Sequence, residues 1–376
     1  MMKGQLITLL VFFAVLSCKK DNEQPSLPPV NPAYVWPTQS WSAKPPGEVG
    51  LSAAPLDELS AAIGAGNFGA IHSLLIVKGG YLVFEKYYNG ASATQSHELQ
   101  SATKSVASVL AGIAIDKGFF SEEDTVVRLL SGTYAKDGNA LRRAMIVKDI
   151  LTMRHGMQWK EWGYPKAQQD NIIMANSPDW IQYLLDRPMQ TPPGTVFNYS
   201  TGASVFISGM IHHRTSVTTD SFARAHLFSP IGIHSADWWV KDSKGMEHTG
   251  GALKLTAPDM ARFGFLILKD GVWDGRQIIS RAFLDRSFAP ATSNVLTVAL
   301  NGEQQALHYG YHWWIIPVAF NNRTVQVIAA MGTGGQYIFI IKEFDLVVVT
   351  TGWNLSEPAQ SAPVGWLKKD ILPALK

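Results

Sequence analysis

Ser101 and Lys104 stand three residues apart in the run Leu99-Gln100-Ser101-Ala102-Thr103-Lys104-Ser105-Val106-Ala107-Ser108-Val109-Leu110-Ala111-Gly112-Ile113, and their types and spacing suit a nucleophile and its base. A serine hydroxyl is almost never ionised near neutral pH and needs a base within hydrogen-bond reach. Residues three apart are neighbours on a helix surface. A lysine serves as that base only if its reference pKa of about 10.4 is pulled down, which burial does by disfavouring the ammonium. The start of the helix adds a second aid. Its unpaired N–H groups and positive dipole end lie where a developing oxyanion would be held, and the Ser101 amide is a candidate donor.

The element that must position the pair is the helix itself. At 3.6 residues per turn, Ser101, Lys104, Ser105, Ser108 and Gly112 fall on one side and Val106, Val109, Leu110 and Ile113 on the other. Such a helix is buried all round, and its small polar side is expected to leave room for a substrate. Taken alone, Ser-x-x-Lys also fits an ordinary core helix whose Lys104 snorkels to the surface. The pattern recurs at Ser17 to Lys20, inside a segment where no catalytic role fits, so partners elsewhere in the chain must decide.

A chain of 376 residues with 46% hydrophobic content buries a large core and is long enough for one or two lobes. The net charge of +2, with no basic run interleaved with aromatics, excludes nucleic acid and other polyanions as partners. The N-terminus reads as a targeting segment. Lys3 supplies the charge and Leu6 to Leu16 the apolar stretch, too short to span a bilayer. It ends at Val15-Leu16-Ser17-Cys18, which resembles a bacterial lipoprotein signal with Cys18 as the lipidated residue. A plain cleaved secretion signal is the alternative. The expected location is therefore exported and lipid-anchored to a bacterial membrane, on its periplasmic face or at the cell surface. Cys18 is the only cysteine, so no disulfide forms within the chain.

Residues 19–50 hold Pro25, Pro28, Pro29, Pro32, Pro37, Pro45 and Pro46 among polar residues and read as a tether. The folded part is expected from Leu51. Ser73 to Lys78 and Tyr81 to Tyr88 are strand-like runs joined by Gly79-Gly80, a two-residue hairpin turn. The nucleophile helix is expected to end at Gly118. Residues from about 121 to 300 read as mostly helical. Ser177 and Pro178 open one helix through Leu185, and Thr256 to Asp259 opens another that stops at Asp270-Gly271. Strand signals return in Tyr309 to Ile316, Thr324 to Ala330, Gln336 to Ile341 and Leu346 to Thr351, and Trp366 to Leu375 reads as a closing helix. This predicts an α/β lobe from 51–120 plus 305–376, a helical lobe from 121–304, and a cleft between them.

Three stretches in order carry a resemblance: Ser101-x-x-Lys104, then Tyr199 in Pro192-Pro193-Gly194-Thr195-Val196-Phe197-Asn198-Tyr199-Ser200, then Met331-Gly332-Thr333-Gly334-Gly335-Gln336-Tyr337. Supporting runs are Ile150 to Met153, Gly250 to Gly264 and Tyr309 to Trp314. Over residues 51–376 the chain resembles the serine hydrolases related to class C β-lactamases, and within them the branch of 6-aminohexanoate-dimer hydrolases and related esterases. The resemblance implies a β-lactamase/transpeptidase-like α/β fold, an antiparallel sheet flanked by helices with an inserted, mostly helical lobe, and cofactor-free chemistry.

It further implies that Tyr199 shares the proton work with Lys104, and that the backbone N–H of Thr333 completes an oxyanion hole with that of Ser101. Gly332, Gly334, Gly335 and Thr201 become substrate-binding positions, the glycines allowing close approach of the backbone. Two positions depart from the family. Ala330 stands where the Lys-Thr-Gly motif has its lysine, and Thr201 where many relatives have the asparagine of Tyr-x-Asn. Both argue for an ester or open-chain amide in place of a penicillin. A D-amino-acid peptidase or β-lactamase-like enzyme, and a non-catalytic binding or sensor lipoprotein, are the alternatives. No metal is implied, because His212-His213 and His308 with His312 lack the carboxylate and spacing of a zinc motif. Trp238-Trp239 and Trp313-Trp314 are read as core aromatics that also suit a cleft wall.

Overall fold

The computed structural model describes Met1 and residues 36–134, 139–238, 240–300 and 303–376. The signal segment with Cys18, residues 19–35 and Trp239 lie outside the described residues. None of the described helices is long and apolar enough to cross a membrane.

The last strands of the chain are apolar at nearly every position, and Gln336–Ile341 and Leu346–Gly352 are buried throughout. Strands without apolar–polar alternation need cover on both faces. They sit inside an eight-stranded antiparallel sheet built from β1 (Ile71–Lys78), β2 (Tyr81–Tyr87), β3 (Thr292–Leu300), β4 (Glu303–Tyr309), β5 (Trp314–Phe320), β6 (Arg323–Gly332), β7 (Gln336–Ile341) and β8 (Leu346–Gly352). The order across the sheet is β2-β1-β8-β7-β6-β5-β4-β3, so the first and last strands of the sheet pair with each other, one strand in from the β2 edge. The β1–β2 hairpin closes through Gly79 and Gly80, both at positive φ, as its sequence predicts.

The helices that concern the site are α1 (Ala53–Gly64), α2 (Thr103–Asp116), α3 (Trp180–Leu185), α4 (Thr201–Thr215), α5 (Ala257–Leu268) and α6 (Arg281–Phe288). Helix α5 lies on β8, β7 and β1. Gly264 makes that approach possible, since a Cβ there would meet Val347 Cγ1 at 2.6 Å and Ile338 Cγ2 at 2.8 Å. Thr256 caps α5, accepting from the Asp259 amide. Helix α2 is buried from Thr103 to Ala114 and packs against α4.

Several expectations need correction. Trp36 to Gly50 is not tether. Arg262 Nε donates to Pro37 O at 2.7 Å, Trp273 Nε1 to Thr38 Oγ1 at 2.8 Å, and Trp36 packs on Phe265 and Trp273. Its prolines do not prevent docking, because Arg262 and Trp273 donate to Pro37 O and Thr38 Oγ1, and Ser42 O accepts from the Leu82 amide of β2 at 3.0 Å. The mostly helical region stops short of residue 304, since β3 and β4 extend the sheet from residue 292. Tyr309 to Ile316 is two strand ends around a turn in which His312 has φ 59° and donates its amide to Leu151 O at 3.0 Å. That turn is buried like a strand, which is why its composition misleads. Helix α3 is capped by Asp179, which accepts from the Gln182 amide, while Ser177 donates back to Met174 O. The C-terminal helical segment begins at Ala362 and runs to Ala374.

Candidate active site

The turn carrying Ser101 precedes α2. Leu99 is tied to Leu253 O through its amide at 2.9 Å, Ala102 N closes on Leu99 O at 3.1 Å, and Gln100 between them has φ 49°. A left-handed non-glycine residue costs on the order of 1–3 kcal/mol, and here it turns Ser101 into the cleft. The end of β6 lies directly against this turn. A Cβ on Gly332 would collide with Leu99 O and stand 3.2 Å from Ala102 N, so only glycine fits. Thr333 follows, exposed and lining the same cleft as Ser101.

Lys104 is 1% exposed. Its Nζ lies 3.0 Å from Ser101 Oγ, 3.1 Å from Thr201 Oγ1 and 2.6 Å from Gly250 O. Burial pulls its pKa down to about 8, against an opposing pull from the Glu161 carboxylate. A base that is substantially neutral near pH 8 is the condition set by the chemistry of Ser-x-x-Lys.

Tyr199 is buried, and its ring centroid lies 4.9 Å from Lys104 Nζ. Burial and Glu161 push its pKa well above that of a free phenol, while a hydrogen bond with Ser101 pulls the other way. Burial and Glu161 both favour the protonated phenol. The ring is stacked under Trp162 at 4.1 Å. Its backbone is held by His155, whose Nδ1 accepts from Met157 N at 3.1 Å and whose Nε2 therefore donates to Asn198 O at 3.0 Å. Burial lowers this imidazole to about 4 and keeps it neutral, as that tautomer requires.

Glu161 is the group the sequence analysis missed. Oε1 accepts from Thr201 Oγ1 at 2.7 Å, and Oε2 from Thr201 N at 2.8 Å and Trp159 Nε1 at 2.7 Å. It sits in an irregular loop with no periodicity or motif to mark it. His248, two residues before Gly250, also lines the cleft. Burial and nearby Lys104 lower it to about 4.

The cleft has a volume of about 1160 Å³, enough for a drug-sized ligand. Ser101, Tyr199, Thr201, Gly332 and Thr333 line it, with Lys104 directly behind. Gly334 and Gly335 are not among its lining residues. They form the turn into β7, where Gly334 O accepts from Asn354 N and Gly335 O from Thr350 Oγ1. Trp314 lines the cleft, whereas Trp313 and Trp238 are core. Ala330 is buried within the sheet. Among the described residues no cluster of histidine, cysteine and carboxylate side chains fits a metal ion.

A family model for the beta-lactamases matches residues 62–367. The chain belongs to the beta-lactamase family. This beta-lactamase-family chain is 21% identical over 293 residues to a 6-aminohexanoate-dimer hydrolase of Paenarthrobacter ureafaciens, covering 74% of the chain and 71% of the relative. Among solved structures, EstCE1, a hydrolase with promiscuous acyltransferase activity, matches with a TM-score of 0.67 at 13% identity, over 86% of this chain and 98% of that one. The octameric penicillin-binding protein homologue from Pyrococcus abyssi matches with a TM-score of 0.64 at 16% identity, over 84% and 77%. The fold is thus β-lactamase/transpeptidase-like, a large antiparallel sheet flanked by helices, and the family places the chain among the serine hydrolases built on it.

Proposed function

We propose that this chain cleaves an ester or open-chain amide through an acyl-enzyme on Ser101. The observation that carries the reading is Lys104, buried and lowered to about 8, with Nζ 3.0 Å from Ser101 Oγ. Lys104 takes the Ser101 proton as Oγ attacks the carbonyl carbon. The backbone N–H groups of Ser101 and Thr333 receive the oxyanion. On collapse the carbon–leaving-group bond breaks, and the proton passes from the Lys104 ammonium through the Tyr199 hydroxyl to the departing alcohol or amine. Water then repeats the attack on the acyl carbon and frees Ser101.

The charge of the cleft supports the substrate class. Glu98, Glu161 and Glu357 line it, and no lysine or arginine does among the described residues. A ligand carboxylate, as in a penicillin, meets no cation there, whereas a neutral or amine-bearing ester or amide meets no repulsion. The relative named for a 6-aminohexanoate dimer supports an open-chain, amine-bearing amide, although that dimer also carries a carboxylate for which no lysine or arginine lines this cleft among the described residues.

The test is hydrolysis of p-nitrophenyl acetate and butyrate by protein lacking residues 1–18, beside Ser101→Ala, with nitrocefin in parallel. Ester turnover is expected to fall by about 10³-fold or more in the mutant. Because the neutral amine is the active form, kcat/KM of the wild type should rise with pH through a midpoint near 8. Equal turnover by mutant and wild type would refute the nucleophile, and nitrocefin turnover rivalling that of the esters would refute the substrate class. We also propose that the chain is exported and lipid-anchored through Cys18. Metabolic labelling with an alkyne fatty acid, lost in Cys18→Ala, checks this.

A further inference from the structure

We infer that Glu161 is a positioning residue that fixes the proton of the Thr201 hydroxyl, so that neutral Lys104 has Ser101 as the sole target for its lone pair. This role rests on the reading of Ser101 as nucleophile and follows from the donors and acceptors around the Lys104 nitrogen. An ionised carboxylate only accepts. Glu161 Oε1, 2.7 Å from Thr201 Oγ1, therefore holds the hydroxyl hydrogen on its own side, and Oε2 is anchored by Thr201 N and Trp159 Nε1. That leaves Thr201 Oγ1 only lone pairs to offer Lys104 Nζ at 3.1 Å. Gly250 O, at 2.6 Å, likewise only accepts.

A neutral amine has two hydrogens and one lone pair. Two of its three neighbours take the hydrogens, and the third, Ser101 Oγ at 3.0 Å, is the one with a proton to give. The base is thereby aimed before substrate arrives, which is the preorganisation that makes proton transfer efficient. Without the carboxylate, the Thr201 hydroxyl is free to turn and donate to Lys104, and the lone pair is then occupied by the wrong partner. The residue pair Glu161 and Thr201 thus does in this chain what an asparagine amide at position 201 would do by supplying a fixed carbonyl.

The other titratable groups around Lys104 do not confuse a pH test. Tyr199 is pushed up beyond the working range, and the imidazoles of His248 and His312 are lowered to about 4 and about 3. Lys104 is the group among them that titrates near pH 8. Removing the Glu161 charge takes away a pull that favours the ammonium, so the acid limb must move to lower pH even as the plateau falls.

The experiment measures pH profiles of kcat and KM on p-nitrophenyl butyrate for the wild type, Glu161→Gln, Thr201→Val, Thr201→Ser, the Glu161→Gln/Thr201→Val double variant, and Ser101→Ala. Glu161→Gln should lower kcat about tenfold or more with KM within about twofold, and shift the acid limb to lower pH. Thr201→Val should match that loss, Thr201→Ser should recover turnover to within about threefold of wild type, and the double variant should lose no more than Thr201→Val alone, because both act through one hydroxyl. An unmoved limb with kcat within twofold in Glu161→Gln overturns the inference, as does multiplication of the two single losses. Should Glu161→Gln fail to fold, Thr201→Val against Thr201→Ser carries the test, and equal turnover of that pair overturns it. Full activity of Ser101→Ala would instead overturn the nucleophile reading on which all of this stands.

Discussion

The first turn of α2 and the turns that follow carry the same kinds of residue on the same side of one helix, and they do different things. Ser101, in the turn that leads into α2, opens to the cleft, and Lys104 in the first turn has three polar partners within 3.1 Å. One turn on from Ser101, Ser105 donates to His312 O at 2.7 Å inside the core. Ser108 Oγ is buried without a hydrogen-bond partner, and Gly112 faces the Phe283 ring of α6. Residue type and helical phase alone therefore do not make a substrate-facing surface. What packs over the side decides. Over the first turn lie the end of β6 and the loops carrying Glu161, Tyr199 and Gly250, which leave a cleft. Over the later turns lie α6 and the buried turn at His312, which leave none.

The sharpest way to break this contrast is at the contact that shapes the first turn. Gly332→Ala places a methyl group against Leu99 O and 3.2 Å from Ala102 N, and neither backbone atom can yield without moving Ser101. Ester kcat/KM should fall by about 10²-fold or more, since small misplacements of a reacting group are costly. Steady-state kinetics together with a thermal melt checks this. Turnover within threefold of wild type would mean that β6 does not set the geometry of the turn.

The matching change at the far end should have the opposite signature. A Cβ on Gly112 would stand 2.5 Å from Phe283 Cδ1 and 2.7 Å from Ile279 Cδ1. Overpacking of this kind costs about 1–3 kcal/mol. Gly112→Ala should therefore lower stability in a denaturant titration while kcat of the folded protein stays within about threefold. A large loss of kcat with unchanged stability would show that the later turns communicate with the site, and the division of the helix into two parts would fail.

How much of this was legible in the sequence follows the same division. That Ser101, Lys104 and Tyr199 come together could be read because their residue types and order along the chain leave a pattern, and Lys104 Nζ lies 3.0 Å from Ser101 Oγ and 4.9 Å from the Tyr199 ring. The buried strands Gln336–Ile341 and Leu346–Gly352 could be read because continuous apolar runs need cover on both faces. Glu161 could not, since its meaning comes from two hydrogen bonds to Thr201, a residue 40 positions away. The docking of Pro37 and Thr38 was hidden because proline-rich composition does not reveal that Arg262 and Trp273 wait as donors. The turn at Gly310 to Trp313 read as strand because burial, and not alternation, dominates its composition, while the positive φ of His312 leaves no mark in residue type. Gly334 and Gly335 read as substrate-binding positions, because in sequence glycines that admit a substrate and glycines that make a turn look alike.

The smallest expected effect tests the contrast from its quiet side. Ser108 Oγ is buried and finds neither a backbone carbonyl nor a side chain to bond. A hydroxyl desolvated without a partner is a net cost to the folded state, so its removal forfeits no hydrogen bond and leaves a void of about one oxygen atom. Ser108→Ala should shift stability by less than about 1 kcal/mol, in the stabilising direction, helped by the better helix propensity of alanine. Its kcat should stay within about twofold of wild type, although Ser108 shares a face with Lys104 one turn away. A destabilisation of 2 kcal/mol or more, on the order of a lost buried hydrogen bond, would reveal a partner for that hydroxyl. The later turns of α2 would then be a polar network like the first, and not the packing surface that sets the two apart.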